Sequence, residues 1–355
     1  MTRPLQAIID TGALRHNLDV LRQQAAHSRI LAVIKANAYG HGLAIAADAL
    51  AQADGFAVAS LEEALQLRQL GVECTILLLE GVFEASEILA CSEHRLAMVI
   101  HRHEQIEWLR AARLKQPVEI FLKLNSGMNR LGFTPETYHQ AMAEVRAIAA
   151  VSHITQTSHF ASADEADGIE AQMAVIHAAF SAHAHPASLA NSAAVFRYPE
   201  SHRDWVRPGI SLYGGSPFAD TPAETLGLRP VMTLHSRIIA VQTLQPGQAL
   251  GYGGDWVAQH PTRIGVVACG YADGYPRHAG TGTPILVNGQ RTRTLGRVSM
   301  DMLFADLSCV QGAQCGSPVT LWGDGLPVEQ VAQAAGTINY ELLCARAQRV
   351  PERII

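Results

Sequence analysis

Leu31-Ala32-Val33-Ile34-Lys35-Ala36-Asn37-Ala38-Tyr39-Gly40-His41-Gly42 is the stretch from which the rest of this chain can be read. An apolar, β-branched run stops at a lysine, and small residues come directly after it. A strand that carries Leu31, Val33 and Ile34 into a core leaves Lys35 at its very end, a costly place for a solvated cation. Burial disfavours the charged form of an amine, and an amine that can shed its proton forms Schiff bases with carbonyl groups, that of pyridoxal phosphate (PLP) included. The same pattern also suits a lysine that merely ends a strand and reaches back to water. The choice depends on what surrounds it.

Outward from that segment, short apolar runs alternate with helical patterns from residue 12 to about 215. The runs fall at 30–34, 56–59, 75–79, 97–100, 118–124, 154–158, 187–190 and 205–206. Helical stretches lie between them, at 61–70, 104–115, 135–149 and 172–183 among others. In the first of these Leu61, Ala64, Leu65 and Leu67 make one stripe beside Glu62, Glu63 and Arg68. Such alternation implies parallel strands joined by crossover helices. Eight units in about two hundred residues suit a closed (β/α)8 barrel better than an open doubly wound sheet. After Pro230 the texture turns β-rich, with runs at 231–244, 263–268, 283–287, 294–298, 303–307 and 318–322 and turn residues between them. Helical pattern returns only at 328–335. The expected organisation is α/β: a TIM-like barrel over 11–229, then a mostly β domain over 230–355. Residues 1–10, with an apolar run at 5–10, are a candidate strand of that second domain.

Composition narrows the function. The chain has 355 residues, 48% hydrophobic and 17% charged, with a net charge of −5. That balance describes a well-cored globular protein and argues against nucleic acid or an anionic membrane as the main partner. No apolar run reaches the length of a membrane span. The first residues, Met1 to Gln6, lack the basic-then-apolar pattern of a signal peptide, and the six cysteines form no Cys-x-x-Cys pair. Reduced core cysteines in a cytoplasmic protein are the expectation. Phosphate-binding P-loop, dinucleotide, zinc-protease and serine-hydrolase signatures are all missing. His101-x-His103 and His183-x-His185 fall in or beside helices, where residues two apart do not share a face, so they read as solvated histidines and no metal site is expected.

Polar residues gather where the proposed strands end. Lys35 ends the first, Lys123 the fifth with Arg130 following, and His159 the sixth; Asn191-Ser192 follow the seventh and Arg207 the eighth. In a β/α barrel those ends form one face, and active sites are built there. Each alone suits a bland surface or capping role. Arg207-Pro208-Gly209-Ile210 adds a glycine that lets backbone approach an anion, and a helical turn starting there would point free N–H groups outward.

Taken together these residues resemble a known family. KLNSGMNRLG at 123–132, SHFASADE at 158–165, RPGISLYG at 207–214, GYADGYPR at 270–277, GRVSMDM at 296–302 and NYELLC at 339–344, with the segment quoted first, are similar in order and spacing to alanine racemases. The resemblance implies a PLP enzyme that interconverts L- and D-alanine with two bases. It implies that Lys35 holds PLP and serves as one base, and that Tyr252 is the other, supplied by the partner subunit of a homodimer. Tyr39, Ser192, Gly209, Ile210 and Tyr340 match phosphate-binding positions, with Asn191 beside them. His159 matches the residue packed on the cofactor ring and Arg207 the one facing the pyridine nitrogen. Arg130 and Met300, with Tyr271 and Asp301, match residues around the substrate carboxylate. Lys123 matches a lysine that is carbamylated in many relatives. Asn125-Ser126 and the segment 346–351 depart from the family pattern. A PLP decarboxylase on the same architecture would share Lys35, but the tyrosine base and pyridine-side arginine favour racemisation. A non-catalytic PLP-binding protein would resemble the barrel alone.

Overall fold

A computed structural model describes residues 3–355; Met1 and Thr2, which open the proposed first strand region, lie outside the described residues. Eight parallel strands close a barrel in sequence order: β2 (Arg29–Val33), β3 (Gly55–Val58), β4 (Thr75–Leu78), β5 (Ala97–Ile100), β6 (Val118–Lys123), β7 (Val151–Thr157), β8 (Ala187–Ser188) and β9 (Trp205–Val206). They come after β1 (Gln6–Ile9), which belongs elsewhere. Closure is made by β9 against β2, with Ile30 opposite Val206. The strands read as unbroken apolar runs because helices cover the outside and side chains fill the inside: in β3 and β5 every residue is buried. Helices return the chain between strands, among them Leu61–Gln69, His103–Ala111, Pro135–Arg146 and Glu170–Phe180. The second of these ends earlier than the sequence suggests, because Ala112 turns to extended backbone.

The remaining strands are β10 (Met232–Leu244), a small hairpin of β11 (Ala249–Leu250) and β12 (Trp256–Val257), then β13 (Thr262–Val267), β14 (Pro284–Val287), β15 (Gln290–Leu295), β16 (Leu303–Asp306), β17 (Pro318–Trp322) and β18 (Glu352–Ile354). Eight of the strands form one sheet in the order β13-β16-β15-β14-β17-β10-β1-β18. The early strand β1 therefore sits inside the late sheet, antiparallel to β10 and parallel to β18. The run expected at 294–298 is displaced: Asn288 and Gly289 both take positive φ, 52° and 73°, and this tight hairpin sets Gln290 opposite Val287. Strand pairing thus begins before the apolar run that marked it in the sequence. Most buried side chains of barrel and sheet, from Leu5 to Val350, form one continuous core, and Leu250, Ile264 and Leu295 form a small separate cluster. No helix among the described residues is long and apolar enough to cross a membrane.

Candidate active site

Strand β2 delivers Lys35 to its end as expected, but the backbone immediately beyond it is unusual. Ala36, Asn37, Ala38 and Tyr39 all have φ between 51° and 53°, one turn of left-handed helix. For L-residues each such conformation costs roughly 1–2 kcal/mol, so the surroundings must hold it. Ala38 N–H donates to Ile34 O at 2.9 Å and Gly40 N–H to Ala36 O at 3.1 Å. Asn37 Oδ1 accepts from Leu43 N–H at 2.8 Å, capping the next helix. Gly40 has no room for a side chain, since a Cβ would come within 2.2 Å of Leu343 O. The turn is thereby pressed against the helix Asn339–Cys344, which carries Tyr340.

Lys35 is half-buried at one side of a cavity of about 600 Å³ at the C-terminal ends of the barrel strands. Tyr39, Lys123, Arg130, His159, Asn191, Ser192, Arg207, Gly209, Ile210 and Tyr340 line the same cavity. The strand-end residues among these, expected to share one face, do converge, and Tyr39, Ile210 and Tyr340, singled out by the resemblance, join them. Ser192 Oγ accepts from Gly209 N–H at 2.9 Å. A Cβ on Gly209 would meet Tyr39 Oη at 2.5 Å, so any larger residue there would push the Tyr39 ring aside. The short helical turn Ile210–Tyr213 opens at this point, and its leading N–H groups have no carbonyl partner within it. Burial pushes the Tyr39 and Tyr340 hydroxyls well up, which keeps them protonated as donors. Asn191 is partly spoken for: its Oδ1 accepts from Ala194 N–H at 3.0 Å and caps the helix Ser192–Arg197.

Arg207, lining the same cavity, is buried and densely held. One guanidinium nitrogen donates to Ser188 Oγ at 2.6 Å and Thr157 Oγ1 at 3.3 Å. The other donates to Ser158 O at 2.7 Å, Leu189 O at 3.2 Å and His159 Nδ1 at 3.4 Å. Burial brings Arg207 down to about 10, still a cation at neutral pH. Burial, reinforced by Arg207, Lys123 and Arg130, holds His159 well below the ordinary imidazole value, so it is a neutral ring. Burial and the cations Arg207 and Arg130 bring Lys123 down to about 8.

An amine, a cluster of hydroxyl and N–H donors and a fixed guanidinium on one cavity fit PLP: a covalent anchor, a phosphate cradle and a partner for the ring nitrogen. Among the described residues no group of three or more His, Cys, Asp or Glu is placed to hold a metal ion. The histidine pairs are less solvated than the sequence suggests. His101 contacts Glu80 O at 3.1 Å, and His183 meets His139 nitrogen to nitrogen at 2.9 Å.

Four expected residues do not line this cavity. Tyr252, on a glycine-flanked turn, is 71% exposed, and Met300 and Tyr271 are 52% and 38% exposed. Asp301 lies beside Met300 and accepts from Arg349 at 2.5 Å. The sequence reading missed what holds these loops. Buried Asp273 accepts from Arg3 at 2.5 and 2.7 Å, from Arg349 at 2.7 Å and from Gly270 N–H at 2.9 Å. It thereby ties the turn bearing Tyr271 to both ends of the described chain. The departure at 346–351 was the only signal: Arg346 donates to Gly40 O at 2.8 Å, behind the Lys35 turn, and pairs with Glu352.

Comparison with known proteins places this geometry. Residues 9–217 match the alanine racemase N-terminal domain and residues 231–354 the alanine racemase C-terminal domain. An alanine racemase of Nitrosospira multiformis is 56% identical, the match covering 99% of each chain. A catabolic alanine racemase of Klebsiella aerogenes is 53% identical, again over 99% of each. The crystal structure of a biosynthetic alanine racemase from Pseudomonas aeruginosa superposes with a TM-score of 0.98 at 48% identity, covering all of both chains. With both domain types matched in order over almost the whole chain, this protein belongs to the alanine racemase family.

Proposed function

We propose that this protein interconverts L- and D-alanine with PLP held in the barrel cavity. The observation that carries the reading is the convergence of Lys35, the Tyr39–Ser192–Gly209–Ile210–Tyr340 cradle and Arg207 on one cavity. Bound there, PLP supplies the electron sink that makes the α-proton of an amino acid removable. Lys35 Nζ would anchor it and then take or return a proton on one face of the substrate. Tyr252 Oη would do the same on the other face. One of the pair must be unprotonated to take the α-proton while the other holds a proton to return on the opposite face; the roles exchange between the two directions. Arg207, a donor with no acceptor capacity, would face the ring nitrogen of bound PLP, leave it unprotonated and so moderate the sink. That leaves reprotonation of the substrate as the main exit rather than transamination. His159 offers its neutral ring as a packing face, and Arg130 with Met300, Tyr271 and Asp301 would surround the substrate carboxylate and the cavity mouth.

Tyr252 does not line the cavity of its own chain and is 71% exposed, which supports a homodimer in which each subunit completes the other's site. Lys123, brought down to about 8, holds enough neutral amine near neutral pH to react with CO2, and a carbamate there would be an anion among cations. All six cysteines are free, in keeping with a cytoplasmic enzyme. A decarboxylase would share Lys35 but has no use for a tyrosine proton donor on the second face.

Purified protein incubated with PLP and L-alanine should accumulate D-alanine toward equal amounts while total alanine stays constant, as read by chiral chromatography. Lys35→Ala should abolish both the conversion and the covalently held chromophore. Bound PLP with no D-alanine formed would refute the reading.

A further inference from the structure

His41 is buried completely, yet touches none of the groups assigned a part in the reaction other than the backbone of Tyr39. Its Nδ1 lies 3.0 Å from Ala38 O and 2.9 Å from Tyr39 O. Two carbonyls accept only, so Nδ1 carries the hydrogen and Nε2 is left as a lone pair. Nε2 is buried without a partner among the described residues. Burial, with Arg346 nearby, lowers His41 to about 4, so the ring is neutral under ordinary conditions and its donor is permanent. The ring stacks on Tyr213 with centroids 4.6 Å apart, and Tyr213 stacks on Tyr39 at 4.8 Å. Tyr213 in turn donates to Val33 O at 3.0 Å, at the end of the strand that leads to Lys35.

A buried, unpartnered lone pair is a cost that phenylalanine would not incur. Packing alone therefore favours phenylalanine at this position, and what histidine adds is one N–H. That N–H ends on the carbonyls of two of the four left-handed residues. We propose that His41 is a positioning residue for the cofactor end of the site: its Nδ1–H clamps residues 36–39 in the left-handed turn that presents Lys35 and the Tyr39 hydroxyl to the cavity. The proposal rests on PLP binding in the barrel cavity and adds the element that keeps anchor and cradle in register.

The test compares wild type, His41→Phe and His41→Asn by titrating each apoenzyme with PLP, following the Lys35-linked absorbance and the apoenzyme's thermal transition. Phenylalanine keeps the ring and removes the donor; asparagine removes the ring and keeps an N–H near Nδ1. His41→Phe should weaken PLP binding about tenfold or more, the loss of one well-made hydrogen bond, with a folded apoenzyme. His41→Asn should bind within about threefold of wild type. Adding Ala36→Gly to His41→Phe, which relieves one left-handed position, should recover about threefold or more. Native PLP affinity in His41→Phe, or a folded His41→Asn that binds as weakly as His41→Phe, overturns the proposal. If His41→Phe does not fold, the asparagine variant decides alone: folded but more than about tenfold weaker, it refutes the clamp. Wild type that takes up no PLP on Lys35 would instead sink the parent reading.

Discussion

Replacing Lys123 with methionine removes a cation from a place that does not suit one. Burial, together with Arg207 and Arg130, lowers its ammonium from 10.5 to about 8. The folded value lies below the unfolded one, so between those two pH values the unfolded chain binds more protons and stability rises with pH. Below about pH 8 the whole penalty is felt, and the drop converts to about 3 kcal/mol. Lys123→Met keeps the length of the side chain and abolishes the charge. In CO2-free buffer at pH 7 the apoenzyme should therefore melt higher by about 3–4 °C, given the unfolding entropy of a chain this size. By pH 9.5 the advantage should shrink to roughly half or less, because wild-type Lys123 is then neutral when folded. The assay is differential scanning calorimetry of both apoproteins at the two pH values. Bicarbonate should narrow the gap by stabilising wild type alone, since the carbamate is an anion facing Arg130 and Arg207. A variant that melts below wild type at pH 7 without CO2, or a gap that widens toward pH 9.5, would refute the reasoning.

The site carries three further expected outcomes. Tyr252→Phe should lower racemisation about 100-fold or more in both directions, the usual worth of a positioned proton donor; initial rates from L- and D-alanine check it, and intact rates would remove Tyr252 from the mechanism. Arg207→Glu should raise pyruvate formation relative to racemisation, because a carboxylate favours the protonated ring nitrogen and a stronger sink; an unchanged ratio would end that role for Arg207. Asp273→Asn should cost about 2–3 kcal/mol, below the full value for breaking a buried pair because its arginines are partly exposed. Its melting point should then fall by about 3–4 °C, with a higher KM for alanine as the Tyr271 turn loosens.

Much of the barrel was legible because each parallel strand is buried on both faces, so strands such as Gly55–Val58 appear as bare apolar runs. The cavity residues at strand ends, from Lys35 to Arg207, were legible because strand ends share one face, whereas Tyr39, Ile210 and Tyr340 were legible only through the family resemblance. The left-handed turn was not. Asn37 tolerates that conformation but Ala36 and Ala38 do not favour it; it is imposed by His41, by Ile34 O and by the contact of Gly40 with Leu343 O. Nor was the Asp273 cluster, because Arg3 and Asp273 stand 270 residues apart in the chain. Strand Gln290–Leu295 was misplaced because a two-residue turn, rather than hydrophobicity, sets where pairing begins.

Strand β1 has a consequence for how the molecule is made. Its partners are β10 and β18, so Ala7 awaits Leu234 and Glu352. A ribosome adding about 5–20 residues per second needs roughly 10–45 s to reach the first of them. Throughout that interval the barrel can close while the four residues of β1, three of them apolar, remain without neighbours. An unpaired apolar edge of this kind invites pairing with the wrong chain. The nascent protein's most exposed moment thus belongs to this strand, and slowing translation before residue 232 should lengthen it.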